Sequence, residues 1–147
     1  MTENPAIRPM QAADYDAFYE LLQTTPGVTV RDADSRDATE RYLVRNPGLS
    51  FAAFDRGRLV GCALCGHDGR RGYLQHVIVA PGWRRRGLGR ALVERCLRGL
   101  EAQGIRKTHI DVLKSNGEGL RYWLDGGWEL REDIYRLSMN RGAGENT

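Results

Sequence analysis

Apolar positions along the chain follow two periods, and their order predicts a string of short strands and helices. Residues 6–9 form a short first strand. Asp14 then caps a helix whose Tyr15, Phe18, Tyr19 and Leu22 fall at i, i+3, i+4 and i+7, one face of a helix. Pro26-Gly27 stops it. The polar stretch 31–37, with Asp32, Asp34 and Asp37, leads into a second helical segment carrying Ala38, Tyr42 and Leu43, which Asn46-Pro47-Gly48 ends. Residues 50–55 and 59–66 read as a hairpin across Arg56-Gly57-Arg58. A further strand is expected over 73–79. Leu88, Ala91, Leu92, Cys96, Leu97 and Leu100 then mark a long helix closing at Gln103-Gly104. Residues 108–113 read as a strand, 117–125 as a short helix ended by Gly126-Gly127, and 134–139 as a last alternating strand. Residues 141–147 read as a flexible tail.

Strand, helix and strand in the middle with hairpins at the edges make a mixed α/β, or α+β, sheet. No repeat, low-complexity block or Pro/Gly/Ser-rich linker divides the chain, and 147 residues suit one core, so 1–140 is expected to be a single domain. Charged residues interrupt every apolar stretch well before the roughly 18–20 residues of a membrane span. Residues 1–5 lack the basic start and apolar run of a secretory signal, which points to the cytoplasm. Edge strands leave pairing between copies open, so a monomer and a homodimer both fit.

A net charge of +3, from 22 basic and 19 acidic residues, is too mild to imply nucleic acid. The basic residues are nonetheless lopsided. All but Lys107 and Lys114 are arginines, and Arg84, Arg85, Arg86 and Arg90 form a cluster. Three cysteines, Cys62, Cys65 and Cys96, are too few for a disulfide scaffold. Cys62 and Cys65 have redox-motif spacing, but three residues along a strand point them to opposite faces. No second ligand pair is spaced for zinc, so no metal is expected and the thiols read as small buried hydrophobes.

The stretch from Val77 to Arg90, Val-Ile-Val-Ala-Pro-Gly-Trp-Arg-Arg-Arg-Gly-Leu-Gly-Arg, carries the chemistry. A strand feeds a loop of glycine and arginine that opens a helix. Helix N-termini present unpaired N–H groups and a positive dipole end to phosphates. Gly87 and Gly89 let the backbone approach an anion, and arginine adds forked donors. A Walker loop fails, because it ends in Gly-Lys-Ser/Thr and this one in Gly-Leu-Gly-Arg. A dinucleotide fingerprint needs a third glycine where Leu92 stands and its first directly after the strand. The remaining phosphate motif is Arg-x-x-Gly-x-Gly, matched by Arg84, Gly87 and Gly89, which holds a coenzyme A pyrophosphate. Beside it stands the plainer reading of a solvated basic helix start or a nucleic-acid patch.

In this stretch and the elements after it, the chain resembles the GNAT superfamily of N-acetyltransferases. Val79-x-Pro81, Trp83, the Arg84-to-Gly89 loop and Leu92 match the family in order, followed by Ile110-Asp111-Val112, Asn116, Tyr122-Trp123 and Gly127-Trp128. The resemblance implies a central mixed, mostly antiparallel sheet of six to seven strands with a splayed parallel pair, flanked by about four helices. It implies acetyl-CoA as co-substrate and direct transfer of the acetyl group to a primary amine of a small molecule or peptide. Backbone groups of Val77, Ile78 and Val79 would pair with the pantetheine arm. The loop of Arg84, Arg85, Arg86, Gly87, Leu88, Gly89 and Arg90 would hold the pyrophosphate, and Asn116 would contact the pantetheine or adenine side. Partners would be the thioester and an amine, without nucleic acid, membrane or metal.

The amine must lose a proton before attack, the oxyanion needs a donor such as a strand N–H near Val79, and the departing thiolate needs a proton. The family takes that last proton from a tyrosine seven residues after the asparagine, where this chain has Trp123. Tyr122 is adjacent, and a one-residue step turns a side chain by about 100° on a helix. Either Tyr122 or water then serves, and a chain that binds acyl-CoA without turnover is the alternative. For the base, Tyr73, Gln75 and His76 precede the loop, and His76 titrates nearest neutrality when unperturbed. Strict alternation puts His76 opposite Gln75, as a core histidine, unless a bulge reverses it. Asp32, Asp34 and Asp37 are expected either to attract a cationic acceptor or to cap a helix start.

Overall fold

A computed structural model describes residues 4–142. These fall into two compact units that divide after Ile110.

The first unit is built on a five-stranded sheet in sequence order, β1 (Ala6–Pro9), β2 (Phe51–Asp55), β3 (Arg58–His67), β4 (Gly72–Val79) and β5 (Thr108–Ile110). The first four strands pair antiparallel and β5 lies parallel to β4. Between β1 and β2 run α1 (Tyr15–Thr24) and α2 (Arg36–Arg45), and α3 (Leu88–Ala102) crosses from β4 to β5. One face of the sheet buries Ala52, Cys62, Leu64 and Ile78 against Phe18, Leu21 and Leu22 of α1. Fully burying a side chain such as Phe18 stabilises by about 1.5–3 kcal/mol. On the other face Leu92, Cys96 and Leu100 of α3 are buried, and Gly72 admits that helix. A Cβ there would stand 2.6 Å from Leu100 Cδ1 and 2.8 Å from Thr108 Oγ1.

Local signals explain the helix ends. Ser35 Oγ accepts the Ala38 N–H (3.2 Å) and starts α2. Asp14 does precede α1, but its carboxylate does not cap that helix. It turns back to accept the Gln11 N–H (2.8 Å) and takes both guanidinium nitrogens of Arg8 at 2.8 Å. Those bonds hold its carboxyl below the usual carboxylate range.

The second unit holds α4 (Gly117–Asp125) and an extended stretch to residue 142. Trp123 packs edge-on to both Tyr122 and Trp128, each at 5.1 Å between ring centres, and Trp128 N–H donates to Trp123 O (3.0 Å). Arg136 pairs with Asp111 at 3.1 Å.

The sheet has five strands among the described residues, where six to seven were expected. One expected strand is shorter and one, over 134–139, is missing. The ladder of β5 stops at Ile110, short of residue 113. Residues 134–139 keep their alternation but form no ladder, and Tyr135, Leu137 and Met139 stand 95%, 87% and 86% exposed. A strand exists only through a partner, and their unit contains no other strand among the described residues. Arg141 and Gly142 are exposed, and the rest of the expected tail, 143–147, lies outside the described residues.

Candidate functional site

The parallel pair opens partway along. β5 meets β4 only at Gly72, Tyr73 and Leu74, opposite Thr108, His109 and Ile110, and β4 continues to Val79 paired with β3 alone. The resemblance implied a parallel pair that separates, and here the ladder ends with β5 at Ile110. Along that open stretch the backbone alternates. Ala80 N–H donates back to Val60 O of β3 (2.8 Å), so the groups of Val79 turn to the unpaired edge. There Val79 O accepts from Arg84 Nε (3.1 Å). An unpaired strand edge is a template for an extended chain with amide groups of its own.

Beyond the strand a 3-10 turn, Pro81–Trp83, leads into the glycine-arginine loop. Arg84 N–H points at Pro81 O (3.5 Å), and the next amide bond in the series is Ala91 N–H to Gly87 O (3.0 Å). The amides of Arg85, Arg86, Gly87, Leu88, Gly89 and Arg90 between them have no hydrogen-bond partner among the described residues. Gly87 caps α3 at φ +79°, a left-handed conformation, and a Cβ built there would meet nothing within 4 Å. Arg85 adopts φ +62° without being glycine. Six successive donors at the positive end of a 15-residue helix suit a diphosphate. The side chains contribute less than their number suggests. Arg84 is tied back to the strand, and the Arg86 guanidinium lies over the Trp83 ring at 4.8 Å.

A bulge redirects β4 at the position where alternation is ambiguous. Leu64 pairs with Gln75 and Cys62 with Ile78, leaving His76 and Val77 opposite Ala63 alone. His76 takes φ +47° to make the extra step. Its ring lies edge-on to Phe18 (6.1 Å), and its Nε2 stands 2.7 Å from Asp34 Oδ1. The histidine therefore faces α1 and the 3-10 turn Asp32–Asp34, with 22% of its side chain exposed. Asp34 is 4% exposed and directed inward, so it is neither a solvent-facing attractor of cations nor a cap of α2. Nothing in the spacing of two residues 42 apart marks them as partners.

In the second unit, Asn116 Oδ1 accepts the Gly119 N–H (2.9 Å) and caps α4. Tyr122 is 48% exposed, whereas Trp123 is packed against Trp128. Of these two neighbours the tyrosine presents the accessible side chain.

The cysteines are all buried thiols, at 0% exposure. Cys62 belongs to the α1 face, and burial pushes its thiol up to about 12. A hydrogen bond with Cys65 and burial raise Cys96 on α3, so Cys65 faces the other side of the sheet. No group of three or more His, Cys, Asp or Glu among the described residues is arranged to hold a metal. None of the described helices is long and apolar enough to cross a membrane.

The acetyltransferase (GNAT) family model matches residues 15–124. An acetyltransferase of Pectobacterium atrosepticum is 38% identical over 110 residues, covering 75% of this chain and 77% of the relative. Another, of Yersinia enterocolitica, is 38% identical over 128 residues, covering 87% and 90%. Among solved structures, the PaiA N-acetyltransferase of Thermoplasma acidophilum in complex with coenzyme A superposes with a TM-score of 0.76. It is 17% identical, with 90% of this chain and 94% of that one covered. The AAC(6')-Iy complex with a coenzyme A bisubstrate analogue gives 0.73 at 22% identity, covering 94% and 99%. The match across α1 to α4 and the shared fold agree with the splayed strand and the amide-lined loop: the chain belongs to the GNAT acetyltransferase family.

Proposed function

We propose that this acetyltransferase moves the acetyl group of acetyl-CoA directly to a primary amine of a small molecule or peptide, in the cytoplasm, with residues 1–140 acting as one catalytic domain. The observation that carries the reading is the row of unpartnered amides from Arg85 to Arg90 at the start of α3. Such a row holds a diphosphate through main-chain donors, and Arg85 and Arg90 add charge at its ends. A nucleic-acid patch needs free, forked side chains along a surface. Two of the four arginines here are engaged locally, which favours the diphosphate.

The open edge of β4 at Val77, Ile78 and Val79 supports binding of the pantetheine arm as an added strand, its amides replacing the missing ladder. An N–H on that edge is also the donor for the thioester oxygen as negative charge develops on it. Asn116 would contact the coenzyme through the part of its amide that helix capping leaves over.

A free alkyl ammonium titrates near ~10, so at neutral pH the acceptor arrives protonated. His76 is the candidate base, partly exposed and set on the bulge just before the coenzyme strand. When the C–S bond breaks the thiolate takes a proton, and Tyr122, about half exposed, is the candidate donor. The test is release of free thiol from acetyl-CoA over a panel of polyamines, aminoglycosides and peptides with free N-termini or lysines. At least one amine is expected to raise thiol release well above the rate without acceptor. A flat panel, with acetyl-CoA bound, would leave a coenzyme-binding protein without turnover.

A further inference from the structure

Within the proposed transfer reaction, and resting on His76 as its base, we infer that Asp34 is the residue that positions it. Asp34 holds the proton on Nε2 and keeps the Nδ1 lone pair open for the acceptor.

The geometry is one-sided. His76 Nε2 lies 2.7 Å from Asp34 Oδ1, and Nδ1 has no hydrogen-bond partner among the described residues. A carboxylate only accepts, so the neutral ring donates from Nε2 and bears its lone pair on Nδ1. His67 shows how this chain treats a histidine with a structural task. Its Nδ1 accepts the Gly69 N–H (2.9 Å) and its Nε2 contacts Gln103 Oε1 (2.8 Å), so both nitrogens are occupied. At His76 one nitrogen is fixed and the other is open.

Asp34 is itself immobilised. Oδ2 accepts the Arg31 N–H (2.8 Å), and its main-chain carbonyl accepts the Tyr15 hydroxyl (2.6 Å). The side chain is 6% exposed, so the carboxylate sits out of water with the imidazole against its Oδ1. The same turn occurs earlier in the chain with a different partner. Gln11 N–H binds Asp14 as Arg31 N–H binds Asp34, and there both carboxylate oxygens accept from the permanent cation Arg8. One copy of the turn builds a fixed ion pair, and the other a pair whose positive member gains and loses a proton. His76 holds this position with a non-glycine φ of +47°, a strain that regular strand geometry would avoid.

The step balances as follows. The acceptor ammonium gives a proton to Nδ1, and the imidazolium keeps its Nε2–H on the Asp34 carboxylate. The amine lone pair bonds to the acyl carbon as the C–S bond breaks. The nitrogen sheds a second proton, the thiolate gains one, and one proton in all passes to solvent.

The test begins with the unmodified protein, its histidines labelled with nitrogen-15, in a two-bond proton–nitrogen correlation spectrum near neutral pH. The chain has three histidines, and His76→Gln assigns the ring in question. The expected neutral ring is protonated at Nε2 and bare at Nδ1, and Asp34→Asn shifts it toward the other tautomer. A wild-type ring protonated on Nδ1, or a spectrum indifferent to Asp34→Asn, overturns the inference. Kinetics on the best amine of the panel supply the second arm. His76→Ala should lower kcat by about a hundredfold and Asp34→Asn by about tenfold or more, with the acetyl-CoA KM within twofold of wild type. The double variant should be no slower than His76→Ala alone. Full activity in His76→Ala removes the base itself and the inference with it. An Asp34→Asn loss that persists undiminished in the His76→Ala background removes the inference alone.

Discussion

Leu74 and Ile78 lie four residues apart on β4 yet face opposite sides of the sheet. Leu74 pairs with Cys65, which contacts Cys96 of α3, while Ile78 pairs with Cys62 and packs with Phe18 of α1. Regular alternation would put both on one side, and the extra residue at His76–Val77 separates them. Their mutational couplings therefore differ. Ile78→Ala and Phe18→Leu should couple by about 0.5 kcal/mol or more in denaturant unfolding, whereas Leu74→Ala and Phe18→Leu should add. Coupling of Leu74 to Phe18 would argue for an unbroken strand.

The coenzyme loop should depend more on its backbone than on its side chains. Arg85→Ala with Arg86→Ala is expected to weaken acetyl-CoA by about tenfold or less, consistent with exposed charges. Gly87→Val introduces a branched side chain at φ +79° in front of the amide row, and should weaken binding by about a hundredfold or more. Calorimetric titration checks both. Arg85→Gly removes left-handed strain and should be more stable than Arg85→Ala by about 1 kcal/mol.

Stability should fall in acid partly through Asp14. Its carboxyl is depressed in the folded protein by Arg8 and the Gln11 N–H, so its contribution is complete above the ordinary value of 3.8. It is lost as pH falls below that, through the depressed folded value. At pH 7, Asp14→Asn should cost about 1–3 kcal/mol in chemical unfolding. The gap between variant and wild type should narrow as pH drops below 3.8. A gap that stays constant would assign the loss to packing.

The three thiols should be inert in the native state. With Cys62 pushed up to about 12 and all three buried, a thiol reagent at pH 8 is expected to react only as the chain unfolds. Its rate should track denaturant in the unfolding range. Fast stoichiometric labelling in buffer would contradict the burial.

Gly72→Ala should destabilise by about 1–3 kcal/mol, because the new methyl meets Leu100 and Thr108 where α3 and β5 close on β4. The melting temperature reports it directly.

The strands and helices around the loop could be read in advance because their signals are local. Phe18, Leu22, Leu92 and Leu100 repeat at helical spacing, and Gly87 and Gly89 sit at the mouth of a helix. The bulge could only be posed as an alternative, because two residues against one is a property of the pairing with Ala63 and not of β4 alone. Asp34 was legible as an acidic residue and not as the partner of His76, since the contact spans 42 positions and depends on how the 3-10 turn folds over the sheet. The alternation of residues 134–139 predicts a strand for the same reason that it fails to make one. Period two describes a face, and a strand also needs a neighbouring ladder.

The diphosphate claim is tested most directly by a proton–nitrogen amide correlation spectrum of the whole protein titrated with acetyl-CoA. The main-chain signals of Arg85 to Arg90, Gly87 and Gly89 foremost, should move the furthest and saturate with the calorimetric affinity. Saturable binding that leaves those signals in place and moves others instead would contradict the account.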